Sequence, residues 1–168
     1  MRLVLAVVAL LAVAAQVHAR QFIAKDSDFT CIRAWPKVHH TRVFNKNKHR
    51  LKVAMRIIER GLPGKKFPKG TILQLWPGEA SVKRGGTFNP EGDGWEFFQL
   101  KTTADGTTIV DRGVDTVNFA GGECITCHSA AKAYDFVCEH GHGCVELPLG
   151  DDVFDSLQTG DPRCPPAN

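Results

Sequence analysis

Acidic residues are missing from one long stretch of the chain: between Cys31 and Ile58 there is none, against eight basic ones, Arg33, Lys37, Arg42, Lys46, Lys48, Arg50, Lys52 and Arg56. The 168-residue sequence balances most of this elsewhere, with 21 Lys and Arg against 18 Asp and Glu and a mostly acidic tail from Asp135 onward. A formal charge of +3 is too small to imply a nucleic-acid binder. Methionine is nearly absent, and Met55 is the sole one beyond the N-terminal stretch. Thioether ligation of a metal therefore has a single candidate there. No second CxxC and no HxxxH occurs, which removes the two-pair patterns of structural zinc. Past the first stretch no apolar run approaches the ~20 residues of a membrane span. Neither a repeat nor a linker interrupts the chain.

The N-terminal stretch has a basic start at Arg2, an apolar run over residues 3–15, and Val17-His18-Ala19, which suits a small-x-small cleavage site. The expectation is a signal peptide over 1–19, a mature product that is periplasmic or secreted, and no membrane association after removal of the signal. Residues 20–168 have a length suited to one compact domain. Six cysteines in an exported chain point to an oxidising compartment. Two lie in CxxCH. The remaining four, Cys31, Cys138, Cys144 and Cys164, are expected to form two disulfides. Three pairings are open to them, Cys138 with Cys144 and Cys31 with Cys164 being one.

Leu51, Ala54, Met55 and Ile58 fall at helical spacing within 47–60, and Gly61 supplies a stop, so an amphipathic helix is predicted there. Strand formers fill Gly70-Thr71-Ile72-Leu73-Gln74-Leu75-Trp76 up to Pro77-Gly78, and 79–83 reads as a short strand. Trp95-Glu96-Phe97-Phe98-Gln99-Leu100 leads through Asp105-Gly106 into Thr107-Thr108-Ile109-Val110, a hairpin pattern. After Gly121-Gly122, the segment 123–133 carries CxxCH and the helix formers Ala130, Ala131 and Ala133. Residues 134–138 read as extended, and the proline-bearing closing region as irregular. The predicted class is α+β, an antiparallel sheet flanked by helices, with a C-terminal helix carrying CxxCH.

Cys124-Ile125-Thr126-Cys127-His128 has the spacing of a c-type haem site. Two thiols three residues apart can each reach a vinyl group while the next residue reaches the iron. One covalent haem c is expected, with His128 as the metal ligand. The sixth position separates electron transfer from ligand binding. Met55 reads as a core residue by its spacing. His39, His40, His49, His140 and His142 lie mostly in polar or glycine-rich stretches and read as surface or structural groups. A vacant, apolar distal face follows, with Leu75, Trp76, Trp95, Phe97 and Phe98 as candidate walls. Alternation within a strand allows only one side of it to serve.

Phe67-Pro68-Lys69-Gly70-Thr71, Glu79-Ala80-Ser81-Val82-Lys83, Gly94-Trp95-Glu96-Phe97-Phe98, and CxxCH followed by Ala130 and Asp135-Phe136-Val137 occur in this order. In this the chain resembles the cytochrome P-460 family, which includes hydroxylamine-oxidising cytochrome P-460 and the gas-binding cytochromes c-prime-beta. The resemblance covers roughly 67–137. It implies a mostly antiparallel sheet, frequent dimers, His128 as proximal ligand and an open sixth position.

In the hydroxylamine-oxidising members a strand lysine is cross-linked to the porphyrin. The matching place here holds Leu75, with Lys69 and Lys83 nearby, which counts against oxidase activity. The resemblance implies binding or oxidation of hydroxylamine or nitric oxide, and electron exchange with a redox partner protein. Oxidation calls for a carboxylate general base, for which Glu79 and Glu96 are the candidates. The alternative is a six-coordinate electron-transfer cytochrome c whose basic segment docks an acidic partner.

Overall fold

The computed structural model describes residues 21–85, 87–147 and 149–166. The expected signal peptide and Arg20 lie outside the described residues. Six strands form one antiparallel sheet in chain order: β1 (Lys37–Val38), β2 (Thr41–Phe44), β3 (Ile72–Gln74), β4 (Glu79–Lys83), β5 (Trp95–Thr103) and β6 (Gly106–Gly113). Helix α1 (Lys48–Arg60) joins β2 to β3. Helix α2 (Cys124–His128) runs into a 3-10 segment, Ser129–Tyr134, and α3 (Asp151–Thr159) follows. The architecture is α+β.

Helix α1 begins where Asn47 caps it, its side-chain oxygen accepting the Arg50 N–H at 3.0 Å. It ends at Gly61, left-handed at φ 52°, which satisfies the last turn without a Cβ penalty. Its apolar stripe buries Ala54 and Ile58, with Leu51 and Met55 partly buried and packed against the core. The β5–β6 hairpin turns at Gly106, φ 134°.

Strand alternation divides the apolar residues into two cores. Val43, Leu73, Trp95 and Phe97 face α1, Cys124 and Phe136; Ile72, Ala80, Val82, Phe98 and Leu100 face Phe29, Ile32 and Trp35. The central strands are therefore apolar on both faces, as a covered sheet requires.

Three readings are corrected. Strands β1 and β2 went unseen because they are two and four residues long and their turn is made by His39, left-handed at φ 52°, rather than by a glycine. Residues 134–138 are not extended: Asp135 and Phe136 take left-handed conformations, φ 57° and 62°. The closing region is not irregular throughout. Helix α3 buries Phe154 and Gln158 and places Asp151 and Asp152 in its first turn, where carboxylates suit the helix dipole. Consequently α2, with CxxCH, is not the last helix of the chain.

The start of the basic segment meets the acidic tail in the fold. Lys37 pairs with Asp155, His40 Nε2 lies 3.1 Å from Asp151, and the Arg42 Nε donates to Gln158 Oε1 at 2.6 Å. The disulfide Cys31–Cys164 closes the same contact covalently. The second disulfide is Cys138–Cys144.

One buried ion pair holds the left-handed turn. The Lys83 ammonium donates to both Asp135 oxygens at 2.8 Å, and Asp135 Oδ2 accepts the Phe67 N–H at 2.7 Å. Burial, with Asp93 beside it, pushes the Asp135 carboxyl up to about 6 against the pull of Lys83. Lys83→Met should cost about 3 kcal/mol near pH 7, the lower end for a broken buried pair, because Lys66 remains 3.4 Å away. Protonated Asp135 does not need a cation. Without Lys83 the Asp135 carboxyl is pushed higher still, so the deficit is full only above the variant's pKa and shrinks as pH falls from there to the parent's. Urea melts of both proteins at pH 8 and pH 5 measure this; an equal deficit at the two pH values would contradict it.

Candidate functional site

A cavity of about 430 Å³ opens beside the sheet face that carries Phe97. Its wall is built from β3 and β4 through Leu73, Glu79 and Ser81, from Leu75 just after β3, from β5 through Phe97, and from α2 through Cys124, Cys127 and His128. Phe136 to Glu139 and Val145 to Leu147 close the far side. This size lies within the range of small-molecule and cofactor sites.

The α2 residues are placed by the turn that follows them. Phe136, left-handed and buried, turns its carbonyl to the His128 ring, and Nδ1 lies 2.7 Å from that oxygen. A carbonyl only accepts, so Nδ1 carries the proton and Nε2 keeps its lone pair. The Phe97 ring, 4.8 Å from the imidazole, packs against it. Burial also lowers the His128 pKa, which favours the neutral, ligating form. A histidine tied through one nitrogen with the other free is the usual arrangement of a metal ligand.

Four of the six cysteines are paired in disulfides, while Cys124 and Cys127 are free thiols on the cavity wall. Burial, with the Glu79 carboxylate nearby, pushes the Cys124 thiol up to about 12. Two free thiols, one imidazole with its free nitrogen, and a mostly apolar cavity fit a covalently held haem. Cys124 and Cys127 would take its vinyl groups and His128 its iron, which would supply a centre for small ligands and for electrons.

Strand parity separates the two carboxylate candidates. Ser81 pairs with Phe97 and Lys83 with Trp95, which puts Glu79, Ser81 and Lys83 on the face of Phe97 and His128. Glu79 accepts the Phe119 N–H at 2.7 Å and the Trp76 Nε1–H at 3.2 Å. Burial raises its pKa despite these two bonds, so it holds a proton more readily than an open carboxylate. Glu96 faces the other way. Opposite Val82, it is 2% exposed, takes Arg112 through both oxygens at 2.8 Å and Arg84 at 3.3 Å, and belongs to the second core's edge.

Of the expected walls, Leu75, Trp76 and Phe97 border the cavity. Trp95 packs on Phe67 at 5.6 Å in the interior instead. Phe98 touches the cavity's edge, but its ring lies 5.2 Å from Phe29 in the second core. No lysine borders the cavity among the described residues.

Two features were not legible beforehand. His40, read as a surface group, borders the cavity, and its Nδ1 is buried with no hydrogen-bond partner among the described residues. The loop bounded by Cys138 and Cys144 forms part of the wall, a role that depends on the turn at Asp135 and Phe136. Comparison with protein-family models, with curated proteins and with solved structures finds no match.

Proposed function

We propose that the chain is an exported mono-haem c protein of cytochrome P-460 type that binds small nitrogen species, hydroxylamine or nitric oxide, at an open iron position. The observation that carries this reading is the His128 imidazole with Nδ1 committed to the Phe136 carbonyl and Nε2 without a partner among the described residues, next to two unpaired thiols on one cavity wall. The compartment is periplasmic or extracellular, reduction and oxidation pass through a partner protein, and the working form is a homodimer.

Within this reading the chain's own groups divide the work. His128 is oriented by Phe136, while Phe97 and Leu75 keep the cavity apolar and exclude bulky ligands. Of the two expected carboxylates, Glu79, held by Trp76 and Phe119, is the one on the cavity side, and in its ionised form it takes a proton from a nitrogen ligand in the cavity. The absence of a lysine from the described wall, with Leu75 in the expected place, favours ligand binding over oxidation.

Optical spectra of the purified protein, oxidised and reduced, with and without nitric oxide and hydroxylamine, test the proposal. A high-spin haem c that binds nitric oxide is expected. Absence of haem, or a low-spin spectrum indifferent to both ligands, would overturn it. If hydroxylamine is consumed, the rate should rise with pH through a midpoint above the ordinary carboxylate range, because only ionised Glu79 is a base. Glu79→Gln should lower that rate about 100-fold and remove the limb.

A second reading, a six-coordinate electron carrier, has one specific observation in its favour, the unpartnered Nδ1 of His40 at the cavity. It predicts a low-spin spectrum that His40→Ala converts to high spin.

A further inference from the structure

The sulfurs of Cys127, Cys138 and Cys144 all lie within 4.8 Å of one another, and all three residues are half-buried rather than sealed. Cys138 and Cys144 are joined, six residues apart, in the loop that walls the cavity, and Cys127 is free. A free thiol this close to a disulfide can exchange with it once it ionises, with no outside oxidant. Cys124 differs: it is buried and takes no part in the cluster. We propose that, before haem is attached, Cys127 exchanges with the Cys138–Cys144 disulfide, and that attachment at Cys127 fixes the final disulfide pattern.

In the exchange, the Cys127 sulfur gives its proton to water and attacks Cys138 or Cys144. The Cys138–Cys144 bond breaks as a bond from Cys127 forms, and the displaced cysteine leaves as a thiolate that takes up a proton. One disulfide and one thiol are present before and after, so no electrons are gained or lost. A Cys127 engaged in this way cannot add to a vinyl group until the exchange reverses. Once a thioether forms, Cys127 has no thiol to offer and the Cys138–Cys144 bond persists. The exchange itself stands on sulfur geometry alone; its link to cofactor attachment rests on the haem reading.

The test is thiol mapping of the full mature chain prepared without haem. The chain is incubated with N-ethylmaleimide, digested without reduction and mapped by mass, counting the chains that keep Cys31–Cys164. Thiols of similar stability should populate exchanged forms within about tenfold of the starting one. Peptides linking Cys127 to Cys138 or Cys144, together with maleimide on the displaced cysteine, are therefore expected in at least about a tenth of chains. Cys127→Ser should abolish that label. Label confined to Cys124 and Cys127 would overturn the proposal. Loss of Cys31–Cys164 from the haem-free chain overturns it equally, because the three sulfurs would then never assemble before attachment. Haem staining of the normally produced protein is a separate readout: its failure sinks the haem reading and leaves the exchange result standing.

Discussion

Replacement of Cys124 and Cys127 together by alanine should leave the polypeptide wholly unstained for haem on a denaturing gel, where the parent protein stains. The argument is one of bond type. Denaturant removes any haem held by His128 and apolar contact, whereas a thioether survives it, so the stain reports the two cysteines alone. Each single replacement should retain a stained band through its remaining thiol. His128→Ala should keep the full stain and change the spectrum instead, because in the proposed reading His128 would hold the iron while Cys124 and Cys127 would hold the porphyrin. A stained double variant would show that haem is anchored elsewhere.

The Cys31–Cys164 bond should dominate the stability of the fold. It joins residues 133 apart in sequence. Released in the unfolded chain, a loop of that length gains enough conformational freedom to cost about 5 kcal/mol, at the upper end of the usual range. The Cys138–Cys144 loop, with a separation of six, should contribute roughly half as much. The long bond also holds groups that depend on the closure. Asp161 accepts the Ile32 N–H at 2.9 Å, and Gln158 donates to the carbonyls of His40 and Leu75 at 2.6 and 2.8 Å. In guanidinium melts the Cys31→Ser/Cys164→Ser protein should lose about 5 kcal/mol and the Cys138→Ser/Cys144→Ser protein about 2. The reverse order would mean that the tail is held by its polar contacts rather than by chain entropy.

Much of the sheet could be read from local signals. The strands at Ile72, Glu79 and Trp95 and the turn at Gly106 announce themselves through strand formers bounded by glycine and proline. Helix α1 does so through its stripe and its Gly61 stop. Helix α3 carried a signal of its own, Phe154 and Leu157 three residues apart behind two aspartates, but the surrounding prolines masked it. The turn at Asp135 and Phe136 had no local signal, since neither residue favours a left-handed backbone strongly enough to announce one. It exists because Lys83 and the Phe67 N–H hold the Asp135 carboxylate.

The sequence by itself determined the spacing of Cys124, Cys127 and His128, because covalent geometry within one helical turn is a local matter. Within the strand at Trp95 it also put Glu96 on the opposite side from Phe97, since side chains alternate along a strand. Only the tertiary structure decided which side faces α2, making Glu79 the cavity carboxylate and Glu96 a partner for Arg84 and Arg112. It alone tied His128 Nδ1 to the Phe136 carbonyl, brought His40 to the wall, and gathered three sulfurs from two segments. Those outcomes depend on how distant segments dock, which is set by the buried ion pair at Asp135 and the closure of the tail.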